Sequence, residues 1–104
     1  MRPTVSIIVP VFNNPIGIEI LIQSLKSQDY PNNLYEVLII DNNSSDNTVE
    51  IIKNNIINFD NFNLYYEKRT IGSYSARNMG INLSSGKILA FTDSDCVPVA
   101  SSTA

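Results

Sequence analysis

Hydrophobic residues along this chain follow two alternating rhythms. Val5 to Val11 is apolar apart from Ser6 and Pro10, a run too short for a buried helix, and it predicts a strand covered on both faces and ending at Pro10. Asn14 then offers an N-cap, Pro15 suits a first helical position, and Ile18, Leu21, Ile22 and Leu25 recur at i, i+3, i+4 and i+7. This first helix stops before Pro31. Glu36 to Asp41 carries a Val-Leu-Ile-Ile run, a second buried strand. Asn42, Asn43, Ser44 and Ser45 follow as a loop and helix cap, and Val49, Ile52 and Ile56 mark the second helix. Asn63 to Lys68 is shorter and less apolar and reads as the edge of the sheet. Gly72 and Ser73 open a third helix whose inward stripe is Ala76, Met79, Gly80 and Leu83. Gly86 is placed to end it in a left-handed cap, and Lys87 to Thr92 forms a fourth strand.

Strands starting near 5, 35, 63 and 87 with helices between them make parallel pairing through right-handed crossovers the economical arrangement. The expected fold is α/β, a Rossmann-like parallel sheet of about four strands alternating with three helices. At 104 residues the chain holds one folding unit at most, and a layered sheet stopping after its fourth strand suggests the front portion of a longer enzyme.

Composition narrows the chemistry. Only 16% of residues are charged against about 25% in typical domains, so the surface is unusually neutral. The net charge of -3 argues against a nucleic-acid partner and against anionic membranes bound by bulk electrostatics. With no histidine, a Ser-His-Asp triad, a histidine base and any imidazole metal site are excluded. The single Cys96 excludes disulfides and thiolate zinc sites, and it reads as an inert packed residue. No cationic leader and no membrane-length apolar run is present, so a soluble, cytoplasmic protein is expected.

Ligands of open parallel sheets bind at the carboxyl ends of the strands. Those ends deliver Pro10, Val11, Phe12 and Asn13 from strand one, Asp41, Asn42 and Asn43 from strand two, and Asp93, Ser94 and Asp95 from strand four. The Asp93 and Asp95 carboxylates suit Mg2+ or Mn2+ completed by water and phosphate oxygens; an acidic turn is the plainer alternative. A carboxylate at Asp41, after an Ile-Ile run, needs hydrogen-bond donors. Either the imino N–H of a uracil, thymine or guanine base or the amides of its own loop can supply them. Phe12 can stack on a base or pack in the core. Gly72, Ser73 and Arg77 can meet a phosphate, or can serve as a helix cap and a surface cation. No G-x-G-x-x-G follows the first strand and no P-loop occurs anywhere, which discards NAD binding and P-loop chemistry.

Four segments together resemble the ordered motifs of family 2 glycosyltransferases with the GT-A fold. They are Val5-Ser-Ile-Ile-Val-Pro-Val-Phe-Asn13, Asp41-Asn-Asn-Ser-Ser-Asp-Asn-Thr48, Gly72 through Ala76-Arg77-Asn78-Met-Gly80, and Asp93-Ser-Asp95-Cys-Val-Pro98. The resemblance implies a nucleotide-diphosphate sugar donor, UDP favoured, held by Pro10, Phe12, Asn13, Asp41, Asn42, Arg77, Asp93 and Ser94. Phe12 would line the base pocket, the Asp41-Asn42 turn would read the base, and Asp93 would lie near the ribose and diphosphate. Asp95, with Asp93, would bind the metal bridging the diphosphate. Such enzymes transfer the sugar to an acceptor hydroxyl, on a saccharide or a lipid-linked glycan, with inversion.

The family commonly has two adjacent acidic residues where this chain has Asp41-Asn42, so the resemblance leaves open which of the two meets the base. The family's catalytic base lies after the metal motif, and no residue here is assigned that role. Residues 1–98 are then the donor-binding portion and 99–104 an unassigned tail of a truncated chain, inactive in transfer alone. The alternative from another class is a non-catalytic receiver-like module whose acidic cluster holds Mg2+ and accepts a phosphoryl group.

Overall fold

The computed structural model describes residues 4–27, 34–68, 73–84 and 88–92, with the side chains of 73–77, 88, 89 and 91 outside that description. Four strands, β1 (Val5–Val11), β2 (Tyr35–Asp41), β3 (Phe62–Tyr66) and β4 (Ile88–Phe91), alternate with α1 (Pro15–Lys26), α2 (Thr48–Ile56) and α3 (Ser73–Leu83). All three strand pairs are parallel, in the order β3-β2-β1-β4. β3 is the edge strand, as its weaker apolar pattern implied. The direction of strand order reverses at β1, which puts the topological switch point between β1 and β4.

Alternation along the strands divides the core in two. Val9, Val11, Val37 and Ile39 face one side, where Ile18, Leu21, Ile22 and Leu25 of α1 and Ile52 of α2 bury against them. Ile8, Leu38 and Ile40 face the other, with Met79 of α3 packed against them. The apolar stripe read on α1 is thus its buried face. On α3 the stripe holds at Met79 and Gly80 but fails at Leu83, which is 43% exposed. Leu83 ends the helix, one turn beyond the Gly80 contact with β1, where the described residues do not cover it.

The start of α1 is set by local chemistry. The Asn14 side chain accepts from Gly17 N at 3.1 Å and Pro15 follows as the first helical residue, so one of the helix's orphan donors is satisfied. Replacing Asn14 by alanine is expected to cost about 1 kcal/mol, read as a lower urea midpoint at unchanged slope. For α2 the expected Asn42–Ser45 cap is corrected. Asp46 accepts from both Thr48 N and Thr48 Oγ1, while Ser44 and Ser45 are drawn toward Asn13 instead. The Thr48 hydroxyl, then its amide, hold the Asp46 carboxyl below the usual carboxylate range. A lowered folded-state pKa contributes stability above the unfolded value, and this contribution is lost as pH falls through the folded one. Among the described residues, no helix is long and apolar enough to cross a membrane.

Candidate functional site

Two turns at the carboxyl edge are built to fit each other. Asn13, after β1, and Asn43, after β2, have φ of 48° and 67°, in the left-handed region that asparagine tolerates better than most residues. Asn13 N donates to Ser44 Oγ at 2.8 Å, and Ser45 N donates to Asn13 Oδ1 at 2.8 Å. The β1–α1 and β2–α2 loops therefore form one hydrogen-bonded rim. Ser44 and Ser45 do their work by gripping Asn13, a pairing across 31 and 32 positions that no local pattern announces.

Pro10 opens the sheet. Hydrogen bonds along β1 alternate sides: Val11 O accepts from Asn42 N at 2.9 Å on the β2 side, and Ile8 O accepts from Thr92 N at 3.1 Å on the β4 side. Position 10 belongs to the β4 side, and proline has no N–H to give. Pairing with β4 accordingly stops at Ile8–Phe91, whereas pairing with β2 runs on to Val11–Asp41. Among the described residues, the β1–β4 ladder therefore ends before the β1–β2 ladder does.

At this edge, Pro10, Val11, Phe12 and Asn42 line a shallow cavity that is open to solvent. Pro10 is buried and forms its floor. Phe12 is 48% exposed, which removes the core-packing alternative and leaves a ring face at the mouth.

Asp41 is 1% exposed. Its Oδ2 accepts from Ser44 N at 2.9 Å, the loop bond that was the plainer alternative, but its Oδ1 is buried with no hydrogen-bond partner. Leaving a polar atom in that condition costs about 1 to 3 kcal/mol. Asn42 is 2% exposed and its amide is already committed, Nδ2 donating to Glu67 O at 2.9 Å. Among the buried side-chain atoms of the described turn, Asp41 Oδ1 is the one without a partner. Glu67, just past β3, is 5% exposed and was missed by the sequence analysis, since nothing in the edge strand's pattern marks the residue after it as buried.

Arg77 lies in α3 with its side chain outside the described residues, and Gly72, Asp93, Ser94, Asp95, Cys96 and the 99–104 tail lie outside them altogether. Thr92, bonded to Ile8 O, brings the chain to the cavity side of the sheet just before Asp93. Among the described residues no group of three or more histidine, cysteine, aspartate or glutamate side chains could hold a metal ion.

Strand order 3-2-1-4 with a cavity at the strand ends defines a doubly wound α/β protein, a class in which ligands bind at the carboxyl edge of the parallel sheet. The order also separates the chain from the receiver-like alternative, in which the third strand would lie beside the first. The model for "Glycosyl transferase family 2" matches residues 6–101, and the chain belongs to that family.

A glycosyltransferase, AglE, from Haloferax volcanii is 47% identical over 96 residues, covering 92% of this chain and 32% of that protein. Among solved structures, TarS 1–349 from S. aureus in complex with UDP-GlcNAc superposes with a TM-score of 0.81 at 32% identity, over 91% of this chain and 27% of that one. The mannosyltransferase PcManGT from Pyrobaculum calidifontis, in complex with GDP-Man and Mn2+, gives 0.86 at 29%, over 96% and 30%. The fold is therefore the GT-A type that the sequence motifs resemble. The chain spans about a third of the length of these relatives.

Proposed function

We propose that this chain is the donor-binding portion of an inverting glycosyltransferase that uses a UDP-sugar and a divalent metal. The single observation that carries the reading is Asp41 Oδ1, a buried acceptor without a partner at the end of β2, where Asp41 pairs with Val11, the residue before half-exposed Phe12. An imino N–H of the base would satisfy that atom, and Phe12 would cover the base's face. Uracil and guanine both carry such a donor.

The donor set fits a hard cation. Asp93 and Asp95 offer carboxylate oxygens only, and Mg2+ or Mn2+ is commonly held by one or two carboxylates with substrate phosphates completing the shell. When bound, the ion stabilises the departing diphosphate. Asp93 and Ser94 contact the ribose and diphosphate, and Arg77 the phosphates. The acceptor is a saccharide or lipid-linked hydroxyl, and no residue of this chain is assigned as the base that activates it.

Calorimetry with UDP, with and without Mn2+ or Mg2+, tests the metal assignment. Wild type is expected to bind UDP more tightly with metal, and both EDTA and Asp95→Ala should remove that increment. Equal affinity in all four conditions would sink it. In competition, the diphosphates of uridine and guanosine should outcompete those of cytidine and adenosine, and equal competition by all four would reject base reading by this turn.

A further inference from the structure

Resting on the donor-site reading above, we infer that Asn42 is a positioning residue. Its side-chain amide replaces a backbone donor that the turn removes, and thereby holds the β3 end against the nucleotide cavity.

The β2–β3 ladder runs in register to Asp41–Tyr66 and continues for one more bond, Glu67 N to Asp41 O at 2.9 Å. In a parallel ladder the next bond would run from Asn43 N to Glu67 O. Asn43, at φ 67°, has turned out of the strand, and Glu67 O takes its hydrogen from Asn42 Nδ2 at 2.9 Å instead. Asn42 N is meanwhile bonded to Val11 O, so one residue ties together the ends of β1, β2 and β3 while lining the cavity with Pro10 and Phe12. Glu67 is held at both its N–H and its C=O, immediately before the segment that leads to α3 and Arg77.

Only a donor can do this. A carboxylate at 42 has the same shape but no hydrogen to give, and it would place a third acid beside buried Asp41 and Glu67. Protonated, it becomes a donor again. Titratable and charged groups on the surrounding elements are Tyr35, Glu36 and Asp41 of β2, Tyr65, Tyr66, Glu67 and Lys68 at β3, Asp46 in the following turn, and Tyr74 and Arg77 of α3; β1 has none.

The test compares wild type, Asn42→Asp and Asn42→Ala for UDP affinity with Mn2+ between neutral pH and the carboxylate range. It also follows amide exchange at Glu67, with Ile39 as the control for intact folding. At neutral pH both variants are expected to bind UDP at least about tenfold more weakly and to exchange the Glu67 amide faster, with Ile39 unchanged. Taken as a ratio to wild type at each pH, the Asn42→Asp deficit should shrink as its carboxyl protonates, while that of Asn42→Ala stays constant. Affinity of Asn42→Asp equal to wild type at neutral pH, or a deficit independent of pH, overturns the inference. If wild type binds no nucleotide, the donor reading fails by itself, and the Glu67 exchange still decides. Faster exchange in both variants upholds the positioning role, and unchanged exchange ends it.

Discussion

Substituting valine for Gly80 is expected to cost about 3 kcal/mol of stability, the upper end of the range for an overpacked core. For a domain of this size each kcal/mol lowers the melting temperature by roughly 4 to 8 °C. Gly80 lies on the buried face of α3, directly over Ile8 in the middle of β1. A β-carbon there would overlap Ile8 Cγ2 and lie 3.1 Å from Cγ1, contacts closer than packed carbons allow. Ile8 cannot retreat, because it is fully buried between Leu38, Ile40 and Met79. The helix must move away, and with it the element that carries Arg77. Shortening Ile8 to alanine should relieve the clash, so the Ile8→Ala, Gly80→Val double variant is expected to be more stable than the sum of the two losses by about 0.5 to 3 kcal/mol. Strict additivity in urea melts would show that the close approach at Gly80 is not what limits the size of that residue.

A second large effect is expected on binding rather than folding. Asp41→Asn keeps an oxygen for Ser44 N but turns an NH2 group into the place of the unpartnered Oδ1. A charged hydrogen bond is worth about 1.5 to 3 kcal/mol, so UDP affinity should fall roughly 10- to 150-fold. Cytidine diphosphate, whose ring nitrogen accepts where uridine's donates, should gain relative to UDP. Stability should be equal to or above wild type, because a neutral amide is cheaper to bury than a carboxylate. The outcome that rejects base reading is an unchanged nucleotide preference. A matching fall in the urea midpoint would instead make Asp41 a structural residue of the turn.

The elements and their order were legible because each is announced by local periodicity. Ile18, Leu21, Ile22 and Leu25 do bury one face of α1, and the Val-Leu-Ile-Ile run does form a strand covered on both sides. Leu83 was misjudged for a reason periodicity cannot supply: a stripe names the face of a helix but not where the partner layer ends. The α2 cap was misread because the helix begins later than the Asn-Ser run implies: its N-cap is Asn47, whose side chain makes no cap hydrogen bond. Ser44 and Ser45 are engaged instead with Asn13, which is remote in sequence.

By itself the sequence determined the alternation of strands and helices, the exclusion of imidazole and thiolate chemistry, and the family whose motifs Pro10, Phe12, Asp41 and Arg77 belong to. These depend on residue type and spacing, which the chain carries locally. Tertiary structure alone decided that Pro10 turns its missing donor toward β4 and not β2, because only the register shows which neighbour each backbone group faces. It also set the two residues of the turn apart. Asp41 and Asn42 are neighbours with similar side chains, but Asn42 Nδ2 is committed to Glu67 O, while Asp41 Oδ1 is buried with nothing to accept. That difference arises from the carbonyl of an edge strand 25 residues away, brought alongside by parallel pairing, and no reading of adjacent residues contains it.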